Sequence, residues 1–339
     1  MFVGHGLFAF ALVVLAARRA AWPRDRALAV GALAFAFGTL PDIDIVYAVF
    51  GLFGGFSGPF AAASAFWEAS TVVHRTVTHS LVVGTVAAAA FACWHGARTR
   101  SWPESWRLGS GAVAAVSLLA LVGTGFAVSG PLAAAVLAVF CLAGIAVTSV
   151  AGRRLPWLTP RTVAAVALVA LLTHPFGDLL TGEPPAMLYP FAVTLVPERL
   201  VVHSDGTIHL LAAFGLDLSA LWAAVAAFLS QSNRQLRAYV RPRAGLGFGY
   251  AGAVAVVPAP TVDASYQFVF SILAVGVLGI VELRRGAFGR SLVGGGGSPS
   301  RADGGRFVGL ADPATTVVTA LTAVSLAAGG YAIAYVALL

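Results

Sequence analysis

The chain has 339 residues, of which 59% are hydrophobic and 10% charged, and its mean hydropathy is +0.87. Soluble domains carry about 25% charged residues, so a soluble enzyme is excluded and an integral membrane protein is expected. The two cysteines, Cys93 and Cys141, both lie in apolar sequence, which excludes a disulfide scaffold and a cysteine zinc site. The formal net charge is +7, and all 21 basic residues are arginine. Their placement accounts for that charge without a nucleic-acid partner.

In chain order, apolar stretches that predict membrane helices run over 2–17, 27–50, 77–97, 109–128, 131–151, 161–181, 208–229, 266–283 and 313–339. A tenth, 245–262, is rich in glycine and ends in Pro258 and Pro260. The arginines cluster between these stretches. The clusters are Arg18, Arg19, Arg24 and Arg26; Arg98, Arg100 and Arg107; Arg153, Arg154 and Arg161; Arg234, Arg237, Arg241 and Arg243; and Arg284, Arg285, Arg290, Arg301 and Arg306. If 245–262 crosses, all arginines but Arg75 and Arg199 fall on one side, which short basic loops mark as cytoplasmic. The expectation is therefore an all-α, polytopic helical bundle in the plasma membrane, with about 9–10 transmembrane helices and the N-terminus outside. Residues 1–210 form a metal-site membrane domain with an extra helical hairpin over 98–160. Residues 211–339 form a C-terminal transmembrane extension, in which Gly294–Gly297 and Ser298-Pro299-Ser300 predict a flexible loop over 286–312.

On this map the histidines and acids gather at the face opposite the arginines. His5 opens the first stretch, Asp42 and Asp44 follow Pro41 in the second, His74 and His79 open the third, and His174 and Asp178 end the sixth. Ionisable groups inside membrane spans are costly and mark function. A divalent cation removes the cost of burying carboxylates, and imidazole with carboxylate suits zinc and related metals. His174 and Asp178 are four apart and share a helix face. Asp42 and Asp44 are two apart and diverge on a regular helix, unless Pro41 opens the backbone. His74 and His79 are five apart, so both serve one site only if one lies on the loop before the helix.

The ordered strings His5, Pro41-Asp42-Ile43-Asp44, His74-Arg75-Thr76-Val77-Thr78-His79-Ser80, and His174-x-x-x-Asp178 followed by Thr181-Gly182 resemble the YdjM-like membrane-bound metal-dependent hydrolases. The likeness covers 1–92 and 165–192, and 98–160 and the part after 210 stand outside it. It implies metal contacts from His5, Asp42, His79, His174 and Asp178, and its motif includes Asp44 and His74. The His-x-x-x-Asp element is also similar to that of zinc-dependent phospholipase C and P1-type nucleases. No histidine follows Asp178 until His203, and no His-x-x-x-Glu exists, which points to one or two metal ions rather than three.

The expected activity is metal-dependent hydrolysis at an outward-facing site. The ion is zinc first, with manganese or iron as alternatives. The partner is membrane lipid, and the substrate is a lipid phosphoester or a similar compound. Asp44 or His74 is the candidate general base, and Arg75 is the candidate stabiliser of anionic charge. A proton- or metal-coupled transporter and a non-catalytic protein with a structural metal are the competing classes.

Overall fold

The structure is a computed structural model that describes residues 2–55, 57–58, 61–62, 65–66, 68–69, 74–231, 235–280 and 312–339. The last arginine cluster and the expected loop over 286–312, apart from Asp312, lie outside the described residues. Every regular element among the described residues is helical. The chain divides into two compact units, 1–204 with 212–233, and 205–211 with 234–339. The expected boundary at 210 falls inside one helix.

The first unit begins with α1 (Phe2–Arg19) and α2 (Arg24–Gly38). The Thr39 hydroxyl then donates back to the carbonyls of Phe35 at 3.2 Å and Ala36 at 3.1 Å. Such back-bonding bends helices, and Pro41 adds the second break. The chain turns by 49° and continues as a 3-10 helix over Pro41–Gly54. α3 (Leu81–Gly96) is capped by Ser80, whose Oγ accepts from the Val82 and Val83 amides. The same hydroxyl donates to the Tyr189 carbonyl at 2.6 Å, so one side chain starts the helix and pins a distant loop.

α4 (Glu104–Arg154) is broken at Gly130, whose φ of 85° suits glycine, and Pro131 follows. Its arms fold back on each other, with Gly125 against Ala133, Ala134 and Leu137. Ser110 on one arm and Ser149 on the other bond to Cys93 and Trp94 at the end of α3. The expected stretches 109–128 and 131–151 are these two arms. α5 (Pro160–Gly177) starts at the Thr159 cap, carries Pro175 in its last turn and passes into a 3-10 turn over Asp178–Leu180. Phe37, Phe91, Phe140 and Leu171 centre the core of this unit. Backbones approach where side chains are small: Gly144 lies under the Phe91 ring and Gly84 against Leu171. α6 (Gly206–Leu229) contributes residues 212–229 to this unit, where Ala224 and Ala227 pack with Ala11 and Val14.

The second unit holds residues 205–211, α7 (Tyr266–Ile280) and α8 (Pro313–Leu338). The rings of Tyr250, Phe268 and Tyr331 pack together in it. The 245–262 stretch forms no α-helix; most of it belongs to a 3-10 helix over Pro242–Ala255 that lays Gly247 against the Ala323 carbonyl of α8.

Among the described residues four helices are long and apolar enough to cross a membrane: 104–154, 160–180, 206–229 and 313–338. The bent pair 24–38 and 41–49 makes five. This is fewer than the nine to ten apolar stretches in the sequence. One helix of 51 residues contains two of them. α1, α3 and α7 are 18, 16 and 15 residues long, below the roughly 20 that a straight crossing needs.

Candidate metal centre

Every sequence-predicted site residue lies in the first unit, and the bend after α2 brings them together. The bend turns Asp42 and Asp44 into the bundle, where their side chains are buried. The loop before α3 carries His74, Arg75 and His79, so both histidines precede the helix, as their spacing required. The end of α5 supplies His174, and the 3-10 turn Asp178–Leu180 supplies Asp178. α1 brings His5 against them. His5, Asp42, Asp44, His79, His174 and Asp178 are all buried, and the His74 side chain keeps 16% of its surface exposed.

Proton bookkeeping fixes what faces the centre. A carbonyl can only accept, so His174 Nδ1–H donates to the Gly38 carbonyl at 2.7 Å, and Nε2 carries the lone pair. That carbonyl is free because α2 ends at Gly38. In the tautomer that leaves His79 Nε2 for a metal, Nδ1–H donates to the Thr78 hydroxyl at 3.1 Å, and that hydroxyl donates to Asp44 Oδ2 at 3.2 Å. His79 Nε2 lies 3.1 Å from His174 Nε2. At that distance the two nitrogens share either a proton, as a hydrogen bond, or a cation.

The carboxylates complete the set. Asp42 Oδ1 lies 3.4 Å from His174 Nε2 and 3.6 Å from His79 Nε2. Asp178 Oδ2 lies 3.4 Å from His79 Nε2 and 3.9 Å from His174 Nε2. Asp42 Oδ1, Asp42 Oδ2 and Asp178 Oδ2 are buried with no hydrogen-bond donor, an arrangement that costs free energy unless something positive is bound. Zinc bonds of 2.0–2.1 Å in a tetrahedron place ligand atoms about 3.4 Å apart, and the five separations above run from 3.1 to 3.9 Å. Asp42, Asp44 and Asp178 against the single Arg75 guanidinium leave two negative charges, which one divalent cation cancels. The residues present therefore fit a divalent metal.

Three overlapping groups could hold an ion: His5, His174 and Asp178; Asp42, His79 and His174; and Asp44, His74 and His79. His174 has only Nε2 to offer, so the first two groups describe one centre with His5 at its edge. The third meets it through His79, whose Nδ1 lies 3.6 Å from Asp44 Oδ2 while Nε2 faces Asp42. This explains the two acids of Pro41-Asp42-Ile43-Asp44: they flank opposite nitrogens of one imidazole. Asp44 Oδ1 also pairs with His74 Nδ1 at 3.1 Å.

Arg75 lies at the edge of the centre, against Asp178. Its Nη2 pairs with Asp178 Oδ1 at 3.0 Å and donates to Thr181 Oγ1 at 2.9 Å. Its Nη1 donates to the Asp178 and Glu183 carbonyls. The guanidinium braces Asp178 through its two Nη groups, while its buried Nε–H has no hydrogen-bond partner among the described residues. Gly182, with φ of 74°, gives it room, since a Cβ there would come within 2.6 Å of Nη1. The same carboxylate oxygen meets His5 Nε2 at 3.4 Å, and Gly177 leaves the space the His5 ring fills.

Sequence reasoning missed Thr78, Gly177 and the Gly38 carbonyl. Thr78 and Gly177 each adjoin a predicted ligand, which is a usable signal. The Gly38 carbonyl is backbone and leaves none. His203 and His209 belong to none of the three groups among the described residues. His95 bonds the Leu158 carbonyl at 3.0 Å, well away in sequence from the site motifs.

The model of the YdjM inner membrane protein family matches residues 1–257. The chain belongs to this family. The matched span takes in 98–160 and the stretch up to 257, so it is wider than the motif-bearing segments. No curated protein and no solved structure matches the chain, and no likeness to phospholipase C or P1-type nucleases is shown. The protein is a membrane protein with buried His/Asp groups able to bind a metal.

Proposed function

We propose that this family member is a multi-pass plasma-membrane metallohydrolase with its N-terminus and its His/Asp site on the outer side, acting on a phosphoester of a membrane lipid. The observation that carries the reading is the convergence of Asp42 Oδ1, Asp178 Oδ2 and the Nε2 atoms of His79 and His174, each carboxylate oxygen 3.4–3.9 Å from both nitrogens and without a hydrogen-bond partner. The mixed imidazole and carboxylate donors favour zinc, with manganese or iron as alternatives. A zinc-like ion bound there supplies Lewis-acid polarisation of a phosphoryl oxygen and a water acidic enough to react near neutral pH.

The chain's own residues do the rest. Gly38 and the Thr78–Asp44 pair fix the ring orientations of His174 and His79, as outer partners of metal-bound histidines do. Arg75 and His5 hold Asp178. Asp44 holds His74 at Nδ1, and His74, the most exposed of these histidines, takes a proton from water and returns it to the departing alkoxide. Four protein donors also describe a closed structural zinc site, so the tetrahedron supports that second reading as well. Elemental analysis of the detergent-purified protein, combined with a hydrolysis screen on phosphatidic acid and soluble phosphodiesters, separates the two. Bound metal with activity that His74→Ala abolishes, metal retained, supports the enzyme. Bound metal without activity on any phosphoester supports the structural site, and no metal after reloading refutes both.

A further inference from the structure

We infer that the apolar groove beside Asp42 is the seat of one acyl chain of a membrane lipid, entered sideways from the bilayer; this rests on the lipid-phosphoester reading and deepens it. The groove has a volume of about 630 Å³, and its lining includes Ala36, Thr39, Asp42, Ile43, Val46 and Val147. That size lies within the ~300–1,000 Å³ of small-molecule sites.

Three observations select the occupant. The first is polarity. Thr39 spends its hydroxyl proton on the Phe35 and Ala36 carbonyls, so no lining side chain has a proton to offer a polar ligand, and Asp42 directs Oδ1 at the two imidazoles. The second is location. The groove's wall is the bent pair 24–38 and 41–49, which is apolar enough to cross a membrane, and Val46 on its rim is 52% exposed. The surrounding medium of such a wall is lipid chains. The third is continuity. Asp42, a ligand of the metal centre, is part of the groove's wall, so a chain lying in it brings its ester-linked head beside that centre. An aqueous substrate has no interaction to gain along this wall, whereas a lipid is held by its chain and cut at its head.

The test uses the full chain reconstituted in nanodiscs with a phosphatidic acid that carries a diazirine in one acyl chain. Photolysis is followed by peptide mapping. Crosslinks are expected to concentrate on Ile43, Val46 and Val147, and filling the groove by Ala36→Phe is expected to cut their yield about tenfold. Val147→Phe fills the same groove from a different helix and covers the case in which Ala36→Phe fails to fold. Yields at Val116 and Leu119, exposed on α4, report ordinary surrounding lipid and stay unchanged. Equal yields at both sets of positions, insensitive to either variant, overturn the groove. The readout needs no turnover, so groove-specific crosslinks in a protein that cleaves no phosphoester overturn the hydrolase and leave the lipid seat standing.

Discussion

Gly177→Ala is expected to act entirely through His5, and its sign is expected to reverse when His5 is gone. Gly177 has helical backbone angles, φ −67° and ψ −22°, so alanine fits the chain itself. The obstacle is the added methyl, which would overlap Cε1 and Nδ1 of His5. The ring must swing away, and its 3.4 Å contact with Asp178 Oδ1 is lost. Losing a partner that orients a metal ligand weakens affinity about 10- to 100-fold, or about 1.4–2.7 kcal/mol. In a His5→Ala background the methyl meets empty space, and Gly→Ala in a helix stabilises by about 0.5–1 kcal/mol. The assay is a zinc competition titration and a thermal melt on four proteins: wild type, each single variant and the double variant. Weaker zinc binding in Gly177→Ala, no further weakening in the double variant, and a higher melting temperature for the double variant than for His5→Ala alone are expected. A Gly177→Ala penalty of equal size in both backgrounds refutes the contact as drawn.

Chelation is expected to lower the melting temperature, because it exposes two uncancelled buried charges; at a free metal level 100-fold above Kd the bound ion contributes about 2.7 kcal/mol, and an unchanged melt refutes a bound ion. His174→Ala is expected to remove the metal in elemental analysis, and Asp42→Asn to weaken its retention against a chelator. Arg75→Lys is expected to weaken metal binding about tenfold, since one ammonium cannot bridge Asp178, Thr181 and Glu183 as the guanidinium fork does; an unchanged zinc titration refutes the brace. Gly144→Ala, which would press on the Phe91 ring, is expected to cost about 1–3 kcal/mol of stability with metal stoichiometry intact, read by melting and elemental analysis. For orientation, in a chain freed of its native cysteines, Thr99→Cys is expected to label only from the cytoplasmic side and Glu183→Cys only from outside; the reverse pattern refutes the arginine-based topology.

The sequence by itself determined the class and most of the centre's membership. Helical membrane character follows from composition, because lipid leaves the backbone no partner but itself. His5, Asp42, Asp44, His74, His79, His174 and Asp178 were legible as a set, because ionisable residues stand out against apolar sequence. The tertiary structure decided the rest. That 245–262 forms no α-helix depends on packing, to which hydropathy is blind. That Arg75 braces Asp178 depends on four acceptors brought from a distant turn. That Asp42 and Asp44 face opposite nitrogens of His79 depends on a 3-10 helix after a bend, and no two-residue spacing reveals this. The Gly38 carbonyl holds the His174 ring and the Thr78 hydroxyl holds the His79 ring. Those partners lie far from His174 in sequence or beside His79, and only the folded chain puts them within a hydrogen bond.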